Sequence, residues 1–189
     1  MLEWLEIVSL TLLVVGALAW YLTYTAARLH RLHTRVEGSY AALDARLVRR
    51  AEATLELANS GVLDPASALY LASAASDSLE EAVGPLEEGL TGDTRRGLVE
   101  SDLTEALRLV LQPEVIAQIE GDGEGMGAAA LARIADAHQR VRLARRFHNE
   151  AVTDAARVHG KAAVRVFRLA GHTETPRTVE MDDDLVLPG

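Results

Sequence analysis

The chain opens with an uninterrupted apolar stretch. Residues 7–27 read IVSLTLLVVGALAWYLTYTAA and carry no charged side chain. A helix of this length, at about 1.5 Å per residue, spans the roughly 30 Å hydrocarbon core of a bilayer. Trp4 stands before the stretch and Trp20, Tyr21 and Tyr24 lie in its second half, where aromatic rings favour the membrane interface. The pattern predicts a transmembrane anchor over residues 1–27.

A cleaved signal peptide is the competing interpretation of this stretch. Ala17-Leu18-Ala19 has the small residues of a cleavage site. Glu3 and Glu6, however, stand where a signal peptide carries basic residues, and the apolar run continues past Ala19. These two mismatches favour an anchor that is retained.

The anchor passes without a break into an amphipathic pattern. Apolar residues then recur at spacings of three or four, at Leu29, Leu32, Val36, Tyr40, Leu43 and Leu47. This stripe predicts one long helix that ends at Asn59-Ser60-Gly61, where glycine can adopt a positive φ. A heptad-like stripe can also pair between two chains, but burial within one chain is its more common use.

Further helices are predicted by start and stop signals. Asp64-Pro65 supplies an N-cap and a first helical residue, and this helix is expected to reach about Gly84. The helical pattern resumes over Leu98–Leu111, in a short turn from Pro113, and in a second long helix over Ala128–His159. The buried side of that long helix is predicted to comprise Leu131, Ile134, His138, Val141, Ala144, Phe147, Ala151, Val152, Ala155 and Val158.

Together these patterns predict an all-α protein. The expected architecture is a single N-terminal transmembrane helix followed by an antiparallel helical bundle of three to four helices over residues 28–175. Residues 176–189 are acidic and contain proline near both ends, and they are expected to be loosely ordered. Hydrophobic residues make up 49% of the chain but aromatic residues only 4%, which favours helices over strands.

Charge and cysteine content exclude several classes of function. The formal net charge is −9, and the chain lacks the clustered basic residues that bind nucleic acid. The chain has no cysteine, which rules out disulfides, thiol catalysis and cysteine-bound zinc. No basic residue precedes the anchor, whereas Arg28, Arg31 and Arg35 follow it. The positive-inside rule therefore predicts a cell-membrane protein with its N-terminus outside and its helical domain in the cytoplasm.

No motif for catalysis, a cofactor or a small-molecule substrate occurs along the chain. His30 and His33 can share a helix face, but no third metal ligand lies near them in sequence. Acidic runs such as Glu80-Glu81 and Asp182-Asp183-Asp184 are interpreted as exposed charge, because neighbouring residues on a helix point in different directions. We therefore predict a protein that is not an enzyme and that has no cofactor and no metal.

A mixture of polar and apolar residues near the end of the second long helix is the candidate interaction surface. It comprises Phe147, Asn149, Val152 and Asp154. Asn149 and Asp154 stand within a helix, where neither residue type is favoured, so each is a candidate for a hydrogen bond to another helix. The alternative is that both side chains face solvent.

Three segments resemble the LemA family of membrane-anchored helical proteins. They are RLHRLHTRVE at 28–37, LDARLVRR at 43–50 and FHNEAVTD at 147–154. The Phe-Pro that follows the third element in the family is absent, since Val158-His159-Gly160-Lys161 stands there. The resemblance implies a divergent member with a helical bundle on a single anchor and the N-terminus outside. It implies no catalytic residues.

These observations predict a membrane-anchored scaffold or adaptor that binds other proteins at the cytoplasmic face. The alternative is a structural membrane protein that assembles with copies of itself. An enzyme that uses the clustered carboxylates is the least supported of the three hypotheses.

Overall fold

The computed structural model describes residues 2–82, 94–121, 125–160 and 176–187. These described ranges contain five helices: α1 (Leu2–Asn59), α2 (Pro65–Glu81), α3 (Thr94–Val110), α4 (Pro113–Gly121) and α5 (Met126–His159). No strand occurs within these ranges, which confirms the all-α prediction for the described residues. The arrangement as an antiparallel bundle of three to four helices stays a prediction.

Helix α1 combines the apolar stretch and the amphipathic stripe in 58 continuous residues. Every side chain from residue 4 to residue 20 is exposed. By contrast, Leu29, Val36, Leu43 and Leu47 are at most 2% exposed. Among the described residues, α1 is the one helix long and apolar enough to cross a membrane, as judged by length and composition. The predicted continuity of the apolar stretch with the long amphipathic helix is therefore confirmed, whereas its role as a membrane anchor stays a prediction.

Local signals set the ends of α1 and α2. Gly61 follows α1 with φ +78°, a left-handed conformation that favours glycine. Asp64 then caps α2, because its side chain accepts hydrogen bonds from the backbone N–H groups of Ala66 and Ser67. Helix α2 ends at Glu81, and residues 83–93 lie outside the described part of the chain.

Helices α1 and α5 pack side by side in opposite directions. Leu29 clusters with Val158 near one end, Val36 with Val152 farther along, and Leu43 with Val141 beyond that. The main core follows at the far end. It contains Leu57 from α1, Leu71 from α2, Leu103 and Leu107 from α3, Ile119 from α4 and Ile134 from α5. Each fully buried side chain of this kind stabilises the fold by about 1.5–3 kcal/mol.

Helix α5 differs from the predicted burial pattern most clearly at Phe147 and His148, and Ala144 is only half-buried. Phe147 was expected inside but is 54% exposed, whereas His148 is fully buried. The helical phase explains the correction, because Val141, His148, Val152 and Ala155 continue one face at spacings of seven, four and three. The prediction ranked side chains by hydrophobicity, but the position on the helix decides which one faces α1. Burial of His148 is supported by a hydrogen bond between its Nδ1 and Ser39 Oγ (3.1 Å).

Candidate functional site

The acidic C-terminal segment lies against the helices. Residues 176–187 form neither helix nor strand, but Leu185 is only 7% exposed and belongs to the main core. Val179 and Met181 pack against the Leu43–Val141 cluster. Composition predicts a loosely ordered tail, whereas the structure places Val179, Met181 and Leu185 against the helical core; Val186 is exposed. We call the surface that it covers the tail groove, defined by Gly97, Ser101 and Arg108 of α3 and Arg145 and Asn149 of α5.

Asn149 binds the main chain of the tail at two points. Its Nδ2 donates to the carbonyl oxygen of Val179 (3.2 Å), and its Oδ1 accepts from the Val179 N–H (2.9 Å). A side-chain amide suits this role because it carries both a donor and an acceptor. The mid-helix asparagine therefore bonds to a segment that is neither helix nor strand, and not to another helix. Both hydrogen bonds go to main-chain atoms of Val179, so they do not depend on the side chain at position 179.

Two arginines bind the acidic part of the tail. Arg145 donates from Nε and Nη2 to both carboxylate oxygens of Asp183, at 2.9 and 2.8 Å. This is the planar two-bond arrangement in which a guanidinium recognises a carboxylate most strongly. Arg108 Nη2 donates to Asp182 Oδ2 (2.8 Å) and to the Asp184 carbonyl (2.7 Å). The bond from Arg108 lowers the pKa of Asp182 below its ordinary value.

The tail approaches the backbone of α3 closely at Gly97. A Cβ placed on Gly97 would lie 2.1 Å from the carbonyl oxygen of Glu180, so a larger residue and the bound tail exclude each other. One turn on, the Ser101 hydroxyl donates to the Gly97 carbonyl (2.7 Å) and accepts from the Asp182 N–H (2.8 Å). Absence of a side chain at Gly97 is therefore part of how the groove fits its occupant.

The four residues predicted as an interaction surface do not share one surface. Phe147 is exposed, but Val152 is 3% exposed and packs with Val36. Asp154 forms an ion pair with Arg35 of α1 (3.6 Å). At 100° per residue, Phe147 and Asp154 lie roughly 20° apart around the helix, whereas Val152 lies roughly 140° away. Val152 therefore belongs to the core, and of the four only Asn149 belongs to the tail groove; whether Phe147, Asn149 and Asp154 bind a partner stays a prediction.

Sequence reasoning missed Gly97, Ser101, Arg108 and Arg145 as parts of a site. The opposite charges of Arg145 and the Asp182–Asp184 run were the available signal. Nothing in the sequence indicated that these segments meet.

A second polar cluster lies inside the domain, centred on a fully buried ion pair. Arg50 and Glu100 have no exposed side-chain surface, and Arg50 Nη2 donates to Glu100 Oε2 at 2.6 Å. Arg50 also donates to the Glu100 carbonyl (3.1 Å) and to Thr104 Oγ1 (3.0 Å). The other carboxylate oxygen of Glu100 accepts from Ser78 Oγ (2.6 Å). The pair thus ties α1, α2 and α3 together through hydrogen bonds.

Arg96 and His138 extend this buried network. Arg96 Nη2 lies 3.0 Å from Asp44 Oδ1 and 3.3 Å from Glu100 Oε1. The Nδ1 of His138 lies 3.5 Å from Arg50 Nη1. Burial, with a further contribution from the charge of Arg50, lowers the pKa of His138 from 6.5 to about 4. His138 is therefore neutral at physiological pH and adds no second positive charge beside Arg50. The positive charge of Arg50 is paired with the carboxylate of Glu100.

Two histidines near the apolar part of α1 pair across helices. His33 Nε2 lies 3.1 Å from His159 Nε2, with the two rings edge to face at 4.9 Å between centroids. His33 Nδ1 is within hydrogen-bond distance of the Leu29 carbonyl (3.1 Å). Within the described residues, no group of three or more His, Cys, Asp or Glu side chains is placed to hold a metal ion. The contact therefore joins α1 to α5 through two rings.

No protein-family model, curated protein or solved structure matches this chain. The similarity of residues 28–37, 43–50 and 147–154 to the LemA family accordingly stays an expectation from the sequence. Function is inferred below from the geometry of the chain itself.

Proposed function

We propose that this protein is a single-pass, membrane-anchored scaffold or adaptor whose helical domain binds other proteins at the cytoplasmic face. The observation that carries the proposal is the continuity of α1. Its exposed apolar part, residues 4–20, runs without interruption into residues that form the core of the domain. An exposed apolar surface of this extent is typical of a membrane or protein interaction site.

Because α1 is continuous, the proposed anchor would fix the position of the helical domain relative to the membrane. Between Arg28 and Asn59, α1 extends about 48 Å. A stiff helix of this length, packed against α5 along its course, would place the main core at a set distance from the bilayer. This suits a protein that positions partners, and in this proposal α1 and the following helices form one antiparallel bundle, as the LemA resemblance implies.

Orientation is proposed from the charges that flank the anchor. Arg28, Arg31 and Arg35 follow the apolar segment, and no basic residue precedes it. Retention of basic residues on the cytoplasmic side would place the N-terminus outside the cell and the helical domain inside.

Cysteine labelling in intact cells tests this topology directly, because the native chain has no cysteine. Single cysteines would replace Glu3 and Glu120, the latter an exposed residue of α4, and a membrane-impermeant maleimide would be applied. We expect labelling at position 3 only, with both positions labelled after permeabilisation. Labelling at position 120 in intact cells would reverse the orientation and place the partners outside the cell.

A pull-down of the full-length protein in detergent tests the scaffold role. We expect specific proteins to co-purify and to remain bound through dilution and washing. Recovery of background proteins alone would count against an adaptor.

Self-assembly is the weaker alternative. The apolar stripe of α1 that would pair two chains is buried against α5 within one chain. A strictly monomeric mass in detergent is therefore expected, and a stable oligomer would favour the structural role.

A further inference from the structure

We propose that the tail groove is a recognition site for acidic, non-helical segments of other proteins, and that residues 176–187 occupy it as a competitor supplied by the same chain. The inference rests on the proposed scaffold function and names the chemistry of the partner. It concerns α3 and α5, and is independent of which side of the membrane the domain occupies.

The groove has the features of a peptide-binding surface. Asn149 bonds to both main-chain groups of one residue, Val179, and peptide-binding sites commonly use such main-chain hydrogen bonds. Ser101 accepts from the N–H of a second residue, and Arg108 donates to the carbonyl of a third. These contacts fit any segment with the same backbone conformation.

Specificity for acidic segments comes from the arginines. Arg145 binds the Asp183 carboxylate through two parallel bonds, and the side chains of this pair are only 25% and 14% exposed. Arg108 binds the neighbouring Asp182. The expected partner sequence has two adjacent carboxylates and, two residues after the second, a buried apolar residue, the role that Leu185 plays here.

Gly97 makes the occupant's close approach possible. The Glu180 carbonyl occupies the space that a Cβ on this residue would need. A partner segment that follows the path of the tail would meet the same obstacle at the same point. Gly97 therefore provides a way to close the groove without altering its charge.

Competition explains how the site would be regulated. Because the tail is tethered to the domain, its effective concentration at the groove reaches the millimolar range. A free segment of equal affinity therefore competes poorly until the tail is weakened. Changes within Asp182 and Asp183 weaken the occupant while leaving every residue of the groove intact.

The test uses full-length protein in detergent and a fluorescent peptide with the sequence of residues 176–187, PRTVEMDDDLVL. In a released chain carrying Asp182→Asn and Asp183→Asn, peptide affinity measured by fluorescence anisotropy is expected to be about tenfold or more tighter than in the native chain. A peptide with the same two aspartates replaced by asparagine should bind the released chain about tenfold more weakly than the native peptide. Raised salt should weaken binding of the native peptide, because the contacts are ionic.

Two further substitutions in the released chain locate the binding site. Arg145→Gln removes the two-bond contact, and Gly97→Ala obstructs the path of the main chain; each should reduce affinity about tenfold. Gly38→Ala is the control, because a Cβ there meets nothing within 4 Å. Far-UV circular dichroism of each variant would verify that it is folded.

Three results would overturn the proposal. One is absence of peptide binding to the folded released chain. Another is binding that Arg145→Gln and Gly97→Ala leave unchanged. The third is a stable dimer formed by exchange of tails in the absence of peptide, which would make a second copy the occupant. Failure of the scaffold function would look different: the peptide would bind as expected while no protein co-purified from cells.

Discussion

At the scale of single residues, the Arg50–Glu100 pair shows how a charge is accommodated inside an apolar core. Removing two charges from water costs several kcal/mol per ion, and this cost is offset only when their bonding groups are well satisfied. Glu100 meets that condition through Arg50, Ser78 and Arg96. We interpret the network as a device that selects one alignment of α1, α2 and α3, because a shifted alignment would leave a charge without its partner.

Loss of one charge of this pair should be costly. Glu100→Gln leaves the Arg50 guanidinium buried and uncompensated, and we expect the free energy of unfolding to fall by about 3–5 kcal/mol. The exposed pair Arg133–Glu56, with side chains 54% and 52% exposed, supplies the control. Glu56→Gln should cost less than about 1 kcal/mol. Thermal unfolding followed by circular dichroism would compare the two, and equal effects would mean that Glu100 is not the counter-charge of Arg50.

His138 should make stability depend on pH. Its pKa is lowered from 6.5 to about 4 by burial and by Arg50, so the unfolded chain binds a proton that the folded chain does not between these values. The free energy of unfolding therefore falls as pH decreases from 6.5 towards 4, by at most about 3 kcal/mol for this group. Burial lowers the pKa of His148 as well, with the same sign.

Substitution separates the contribution of His138 from the others. His138→Gln should make the stability profile less steep between pH 6.5 and 4 while the contribution of His148 remains. His30→Gln, at an exposed position, is the control substitution. Unfolding midpoints measured across this range would test the assignment. A profile for His138→Gln that parallels that of the native chain would contradict it.

At the scale of elements, two glycines affect helix α1 in opposite ways: one lies inside the helix and the other follows its C-terminal end. Gly61 ends the helix with φ +78°, whereas Gly38 lies inside it, and a Cβ at either position meets nothing within 4 Å. Their substitution therefore reports backbone conformation and not packing. Helix α1 persists through Gly38 because the flanking residues bury an apolar stripe against α5, and tertiary packing outweighs weak local propensity.

Alanine substitution at these two positions should change stability in opposite directions. Gly61→Ala forces a residue with a side chain into the left-handed region and should destabilise the domain by about 1–2 kcal/mol. Gly38→Ala should stabilise it by about 0.5–1 kcal/mol, since alanine loses less conformational freedom within a helix. Thermal unfolding of the two variants would test this. A stabilising Gly61→Ala would mean that the turn after α1 does not require a positive φ.

At the scale of the whole molecule, α1 consists of a part that packs and a part that does not. Residues 4–20 are exposed throughout, so the domain owes none of its core to them. Burial within the chain begins at Thr25 and Leu29. The proposed anchor and the helical domain therefore share a helix but not a core, and they should be separable.

Two deletions test this separation. Removal of residues 1–20 should release the protein from the membrane fraction and change the unfolding temperature by less than about 4 °C, equivalent to 1 kcal/mol or a little more for a domain of this size. Removal of residues 1–36 also takes away Leu29 and Val36, which are buried. Each such side chain is worth about 1.5–3 kcal/mol, so a clearly larger loss is expected. Similar unfolding temperatures for both deletions would contradict the division at Thr25.

Local patterns determined much of this architecture from the sequence alone. The continuous helix α1, its end before Gly61 and the start of α2 at Asp64-Pro65 were all predicted, because helical periodicity and capping depend on residues within one or two turns. The apolar stretch of residues 7–27 likewise follows from composition alone. Predicting these features does not require knowing which distant segments pack together.

Tertiary structure decided what the charged and polar residues do. Arg50 and Glu100 stand 50 positions apart, and each resembles an exposed helical residue until the other is placed beside it. Arg145 and Asp183 are likewise separated by 38 positions, and Phe147 and His148 exchange their expected places once α5 is rotated against α1. The physical reason is common to all three: burial of a polar group depends on a partner, and the partner is set by packing between distant segments.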